Sequence, residues 1–153
     1  MKLLEIVDGT SIRYAYRIAF LANFYREPLM RRMEREFGLI RPEWTILICL
    51  NFQDGVNARD ICEITEQPRN TISRAVRTLS EKGLISYKTD PGDARRTVLL
   101  LTQEGKQMHE RIMPMFEEGE RRMLACLTAS EQQQLDGLLD KLTRAVPNWV
   151  AQD

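Results

Sequence analysis

Cysteine, histidine and long apolar runs are all scarce in this 153-residue chain. The three cysteines, Cys49, Cys62 and Cys126, lie far apart and form no CxxC pair. That excludes a disulfide framework and fits a reducing, cytoplasmic setting. The single histidine, His109, excludes a multi-histidine metal site within one chain. No stretch approaches the run of about 18 apolar residues that a membrane-spanning helix needs, so no membrane partner is expected. Glu5 and Asp8 break up the start of the chain where an export signal would need an apolar core, which argues against secretion. No nucleophile–base pair, metal-ligand cluster or phosphate-binding glycine loop is legible, so the sequence predicts no enzyme and no cofactor. What remains is ordinary globular material. Hydrophobic residues make up 43% and charged residues 29%, enough to fill the core of one domain.

The formal net charge is zero, but the charges are unevenly spread. Between Arg69 and Arg96 seven basic residues face three acidic ones, and from Thr97 onward six basic residues face nine acidic. A local basic segment can bind a polyanion even in a neutral chain, because phosphate contacts respond to local charge density. A solvated helix face would give the same count, so the structure beneath the charge decides.

Apolar spacings of three and four predict mostly helix. A long helix is expected over about 10–37, with Ile12, Tyr16, Ala19, Phe20 and Phe24 on its stripe, Pro28 kinking or interrupting it, and Gly38 ending it. Arg41-Pro42-Glu43-Trp44 opens a second helix with Trp44, Leu47, Ile48 and Asn51 on its period. Asn57 can cap a short helix from Ala58 to Thr65 whose inner face would carry Ile61, Cys62 and Ile64. Pro68 opens the next, running to about Lys82 and closed by Gly83, with Ile72, Ala75, Val76 and Leu79 inward. Arg69, Asn70, Ser73, Arg74 and Arg77 fall off that stripe. Two short helices, the second with basic and amide groups on its free face, make a helix-turn-helix.

Residues 84–89 and 97–101 have strand propensity, and the turn-rich Asp90–Arg96 between them predicts a hairpin, or wing. Thr102-Gln103-Glu104 caps a long helix through Met108, Ile112, Met115, Phe116, Met123 and Leu127, with a bend allowed at Pro114. Thr128 and Glu131 form a capping box for a last helix striped by Leu135, Leu138, Leu139, Leu142, Val146 and Trp149.

This order resembles the MarR family of winged-helix transcriptional regulators over about residues 10–146. The strings that carry the resemblance are Asn70-Thr-Ile-Ser-Arg74, Leu79-Ser-Glu-Lys-Gly-Leu-Ile85, Asp90-Pro-Gly-Asp-Ala-Arg-Arg96 and Leu101-Thr-Gln-Glu-Gly105. The implied fold is mainly α with a small β-hairpin wing. It would form a single domain over 1–153, with 42–101 as the winged helix-turn-helix and 1–37 and 103–153 as dimerisation helices. The family's Asp-x-Arg wing motif, here Asp93-Ala94-Arg95, implies an arginine in the DNA minor groove.

The residue chemistry can be read apart from the family. Arg69, Asn70 and Arg74 suit base edges in the major groove, where arginine bridges guanine O6 and N7 and asparagine bridges adenine N6 and N7. Thr71 and Ser73 suit phosphates or thymine methyls, and Arg77, one turn on, suits the backbone. Arg95 at the wing suits a narrow minor groove, with Arg96 beside it and Asp93 able to fix its guanidinium. The predicted function is a DNA-binding regulator, a homodimer on a pseudo-palindromic operator, acting as a repressor relieved by a ligand. The alternative is a winged helix for protein contact that does not bind DNA.

The stripes of the first and last helices exceed what a winged helix must bury; the resemblance implies a homodimer in which a second copy covers them, and the alternative is a monomer that packs both helices on its own domain. The resemblance also implies a small-molecule pocket, often for aromatic acids or phenols. Tyr16, Phe20, Trp44 and Leu47 are candidate walls, and Arg13 or Arg17 a carboxylate partner. Some family members sense peroxide through a cysteine in the first long helix. This chain has none there, which argues against that mechanism.

Overall fold

The computed structural model describes residues 2–150. The chain divides into two compact units, residues 1–116 and 117–153. Its elements are α1 (Lys2–Gly9), α2 (Arg13–Phe37), α3 (Arg41–Phe52), α4 (Ala58–Thr65), α5 (Arg69–Glu81), β1 (Ile85–Asp90), β2 (Asp93–Leu101), α6 (Gln103–Leu124), α7 (Ala129–Arg144) and α8 (Val146–Trp149). No helix among the described residues is long and apolar enough to cross a membrane.

The long helix expected over about 10–37 is present as α2, and a separate short helix, α1, precedes it over Lys2–Gly9, where the sequence reading assigns no element. Past Gly9, the Thr10 hydroxyl accepts the Ile12 N–H at 3.3 Å, a local bond that competes with helix continuation. Pro28 does not interrupt α2. Met33, fully buried, and Leu29 and Met30, packed against the core, hold the turn beyond it, and that packing outweighs the one hydrogen bond the proline removes. Gly38 ends the helix as expected, with φ +66° and its N–H on the Glu34 carbonyl at 2.9 Å.

The core of the first unit forms where α3, α5, α6 and the hairpin converge. Its fully buried side chains are Met33, Leu39, Ile46, Leu47, Leu50, Ile61, Ile72, Leu79 and Ile112. The inner face of α3 therefore includes Ile46 and Leu50, whereas Asn51, expected on it, is exposed. Helix α4 caps as expected: Asn57 Oδ1 accepts the Asp60 N–H at 2.9 Å and Asp60 accepts the Asn57 N–H at 3.1 Å. Its inner face is narrower than expected, since Ile61 is buried and Ile64 is 64% exposed.

Strands β1 and β2 pair antiparallel, Ile85 opposite Leu101 through Thr89 opposite Thr97. On the other edge of β2, Leu99 exchanges two backbone bonds with Gly55 and Val56, at 2.9 and 2.8 Å. Thr102 joins the hairpin to α6. Its hydroxyl donates to the Gly83 carbonyl at 2.7 Å and accepts the Gly105 N–H at 3.0 Å. Helix α6 passes Pro114 without a break and stops at Leu124, so Leu127 lies beyond it.

In the second unit the Thr128–Glu131 capping box is present, with Glu131 accepting the Thr128 N–H at 2.7 Å. Helix α7 buries none of its residues; Leu138, Leu139 and Leu142 stand exposed, and Val146 and Trp149 lie on the separate α8.

Candidate nucleic-acid interface

Helix α5 sorts its residues into two faces. Ile72, Ala75, Val76 and Leu79 are buried, while Arg69, Asn70, Ser73, Arg74 and Arg77 are exposed. At 100° per residue the exposed five span about 140° of the helix circumference. Their side chains make no hydrogen bond or ion pair with other described residues. Thr71 sits half-buried at the margin of this face. Pro68 precedes the helix without a side-chain cap, so the Arg69 and Asn70 amides stay open at the positive end of the helix dipole. An exposed face of three guanidiniums, an amide and a hydroxyl, rigidly backed by the core, has the chemistry to meet a polyanion with readable edges.

The wing differs from its expected form. Only Pro91 and Gly92 make the turn, and β2 begins at Asp93, which places Ala94, Arg95 and Arg96 inside the strand. The ladder pairs Asp90 with Asp93 and then Thr89 with Thr97, so these three residues form a bulge without partners on β1. A bulge twists the strand and re-aims its side chains. Asp93 does not fix the Arg95 guanidinium, as the sequence suggests it could. Instead its Oδ1 accepts the Arg95 backbone N–H at 2.9 Å, an Asx-type turn that shapes the bulge and leaves the guanidinium without a partner among the described residues. Arg96 approaches Asp60 of α4 at 3.8 Å. The pair is exposed on both sides and tethers the wing base weakly to the helix-turn-helix.

The six residues proposed from sequence for a ligand pocket are not gathered in one place. Leu47 is fully buried in the core. Arg13 lies over the Tyr14 ring, and Tyr16 and Phe20 make a tilted ring pair at 5.9 Å. Arg17 pairs with Asp8 of α1 at 2.6 Å, and with Phe20 lines an apolar groove between α1 and α2. The reason is the helical offset between these positions and Trp44: they sit too near the start of α2 to reach α3.

Trp44 instead borders a separate cavity of about 410 Å³, walled by Tyr25, Met30, Ile48, Met113 and Phe116, with Arg26 and Arg41 at its edge. Sequence reading misses Tyr25 and Arg26. The signal is there, between one and two turns beyond Phe20 on the same helix and about two turns before the buried Met33. Trp44 is itself sandwiched, stacked on Phe116 at 5.0 Å and on His109 at 5.2 Å. Burial pushes the His109 pKa below its ordinary value, opposed in part by Glu110, so the ring is kept neutral against the indole. Cys49 is half-buried, and burial pushes its thiol pKa up, which removes thiolate character.

The profile of the MarR family matches residues 37–96, the span from the end of α2 to Arg96 within β2. An uncharacterized HTH-type transcriptional regulator of Bacillus subtilis, YwaE, is 30% identical over 131 residues, covering 82% of this chain and 77% of that protein. Among solved structures, PcaV of Streptomyces coelicolor in complex with its natural ligand superposes with a TM-score of 0.67 at 25% identity, covering 92% of this chain and 96% of that one. The MepR–DNA complex of S. aureus superposes at 0.72 and 24% identity, covering 87% and 96%, and shares the fold. The sequence strings, the winged helix and these likenesses agree: the chain belongs to the MarR family of HTH-type transcriptional regulators.

Proposed function

We propose that the protein is a homodimeric repressor that sets α5 in the major groove and the wing in the flanking minor groove of a pseudo-palindromic operator, and that a small aromatic or phenolic ligand relieves it. The observation that carries this reading is the exposed face of Arg69, Asn70, Ser73, Arg74 and Arg77, without side-chain partners among the described residues, over a buried stripe. A helix held this firmly, with its polar groups uncommitted, suits base readout better than protein contact. Dimerisation is supported by Leu21 and Phe24 on α2 and Leu138 and Leu142 on α7, all more than half exposed. The ligand is supported by the Trp44 cavity, whose size is ordinary for a small molecule and whose aromatic walls carry two guanidiniums at the rim.

The test separates Arg74 from Arg77 in salt titrations on an operator duplex recovered from a random pool and on an unrelated duplex. Arg74, nearer the helix N-terminus, is assigned to a base edge, and Arg74→Ala should cost about 1–3 kcal/mol on the operator alone. Arg77→Ala should weaken both duplexes and reduce the salt slope by about 1. Equal losses on both duplexes for Arg74→Ala would mark it as a backbone contact.

A further inference from the structure

The first turns of α3 do two things at once. Arg41, Trp44 and Thr45 border the 410 Å³ cavity. The same turns also hold α5 at both of its ends. At the near end the Gln67 side-chain amide, one residue before Pro68, donates to the Thr45 hydroxyl at 3.1 Å, and that hydroxyl donates on to the Arg41 carbonyl at 2.9 Å. At the far end Lys82, which closes α5, donates from Nζ to Glu43 at 3.2 Å and to the Gly38 carbonyl at 2.7 Å. Glu43 is 3% exposed and also accepts the Ile40 N–H at 3.0 Å, so its carboxylate is fixed before Lys82 arrives. Between these grips, buried Ile46, Leu47, Ile72 and Leu79 complete the core.

From this geometry we infer that Gln67 and Lys82 are positioning residues for DNA recognition, which seat α5 relative to α3 and so tie its fit in the groove to the state of the Trp44 cavity. The inference rests on α5 being the DNA-reading helix. Neither residue needs to touch DNA. A rigid helix gripped at two points follows any tilt of the element that grips it, and packed cores shift between discrete arrangements rather than deforming smoothly. Linkage then works in both directions: what fills the cavity alters DNA affinity, and DNA alters the surroundings of Trp44 by the same coupling.

That reciprocity gives a test that needs no ligand. In the full chain with Trp149→Phe, Trp44 is the sole indole. Its emission is followed as duplex is added, using a duplex recovered from a random pool and an unrelated one. The expected result is an emission change on the selected duplex. Thr45→Val and Gln67→Met should each weaken that duplex about 2- to 12-fold, the range of one lost hydrogen bond, and leave the unrelated duplex unchanged. The double variant should be no weaker than Thr45→Val alone, because that change already removes the Gln67–Thr45 bond along with the one to the Arg41 carbonyl. The paired change Glu43→Gln with Lys82→Met removes the far grip without stranding a buried charge, and should lower both selectivity and the emission response. Unchanged selectivity and emission in all of these variants would overturn the inference, as would losses equal on both duplexes, which mark a purely structural role. If the parent chain binds no duplex at all, the reading of α5 fails, and the positioning role falls with it.

Discussion

Gly105 is fixed by contact rather than by backbone angle. A Cβ there would lie 2.1 Å from the Leu84 carbonyl oxygen and 2.8 Å from the Leu101 side chain. The same carbonyl accepts the Thr102 N–H at 3.1 Å, so α6 starts with its backbone pressed against the joint between α5 and β1. Gly105→Ala should therefore destabilise by about 1–3 kcal/mol through forced backbone displacement, read as a lower midpoint in chemical unfolding. Gly137, on α7, is the contrast. A Cβ there would meet nothing within 4 Å, and Gly137→Ala should stabilise by about 0.5–1 kcal/mol. His109 gives a pH dependence. Its folded pKa lies below the ordinary 6.5, so the unfolded chain binds the proton more readily. The stability this supplies is complete above about 6.5 and is lost as pH falls below that value toward the folded pKa. Thermal unfolding at pH 7.5 and 5.5 should show a drop that His109→Gln reduces; a drop of the same size in that variant would assign it to other groups.

Element by element, the helix-turn-helix is the most legible part of the chain. The stripe Ile72, Ala75, Val76, Leu79 and the cap at Asn57 follow from local spacing and local hydrogen bonds, and the structure has both. What the sequence hides depends on partners distant along the chain. Pro28 looks like a break until Met33 is seen packed beyond it, and Ile64 looks buried until α4 proves to bury only Ile61. The cavity residues Tyr25 and Arg26 cannot be chosen over Tyr16 and Arg17 without knowing which turn of α2 meets α3. The wing departs from expectation for a chemical reason: Asp, Pro and Gly signal a turn, yet the Asp93 carboxylate stabilises a bulge that keeps Arg95 and Arg96 within β2. That bulge carries its own prediction. If Arg95 takes the proposed place in the minor groove, Arg95→Ala should weaken binding more on operators with A·T-rich flanks than on G·C-rich ones, because groove width differs between them. Gel-shift titrations on both flank types decide it, and equal losses would reduce Arg95 to a phosphate contact.

At the scale of the molecule, the proposed homodimer draws on exposed apolar side chains of α2 and α7. Leu21 and Phe24 on α2 are 58% and 62% exposed, and Leu138 and Leu142 on α7 are 61% and 52% exposed. A second copy would bury such faces, and a two-fold pair would place two α5 helices on half-sites about 10 base pairs apart. Leu138→Asp with Leu142→Asp should then yield a monomer by sedimentation and lower operator affinity, although neither residue is assigned to DNA. The most direct test of the central claim is selection of duplexes from a random pool by the intact chain, followed by stoichiometry on the recovered sequence. The proposed reading predicts an inverted repeat bound by two protomers. An asymmetric minimal site bound by one protomer, or no enriched sequence, would contradict it.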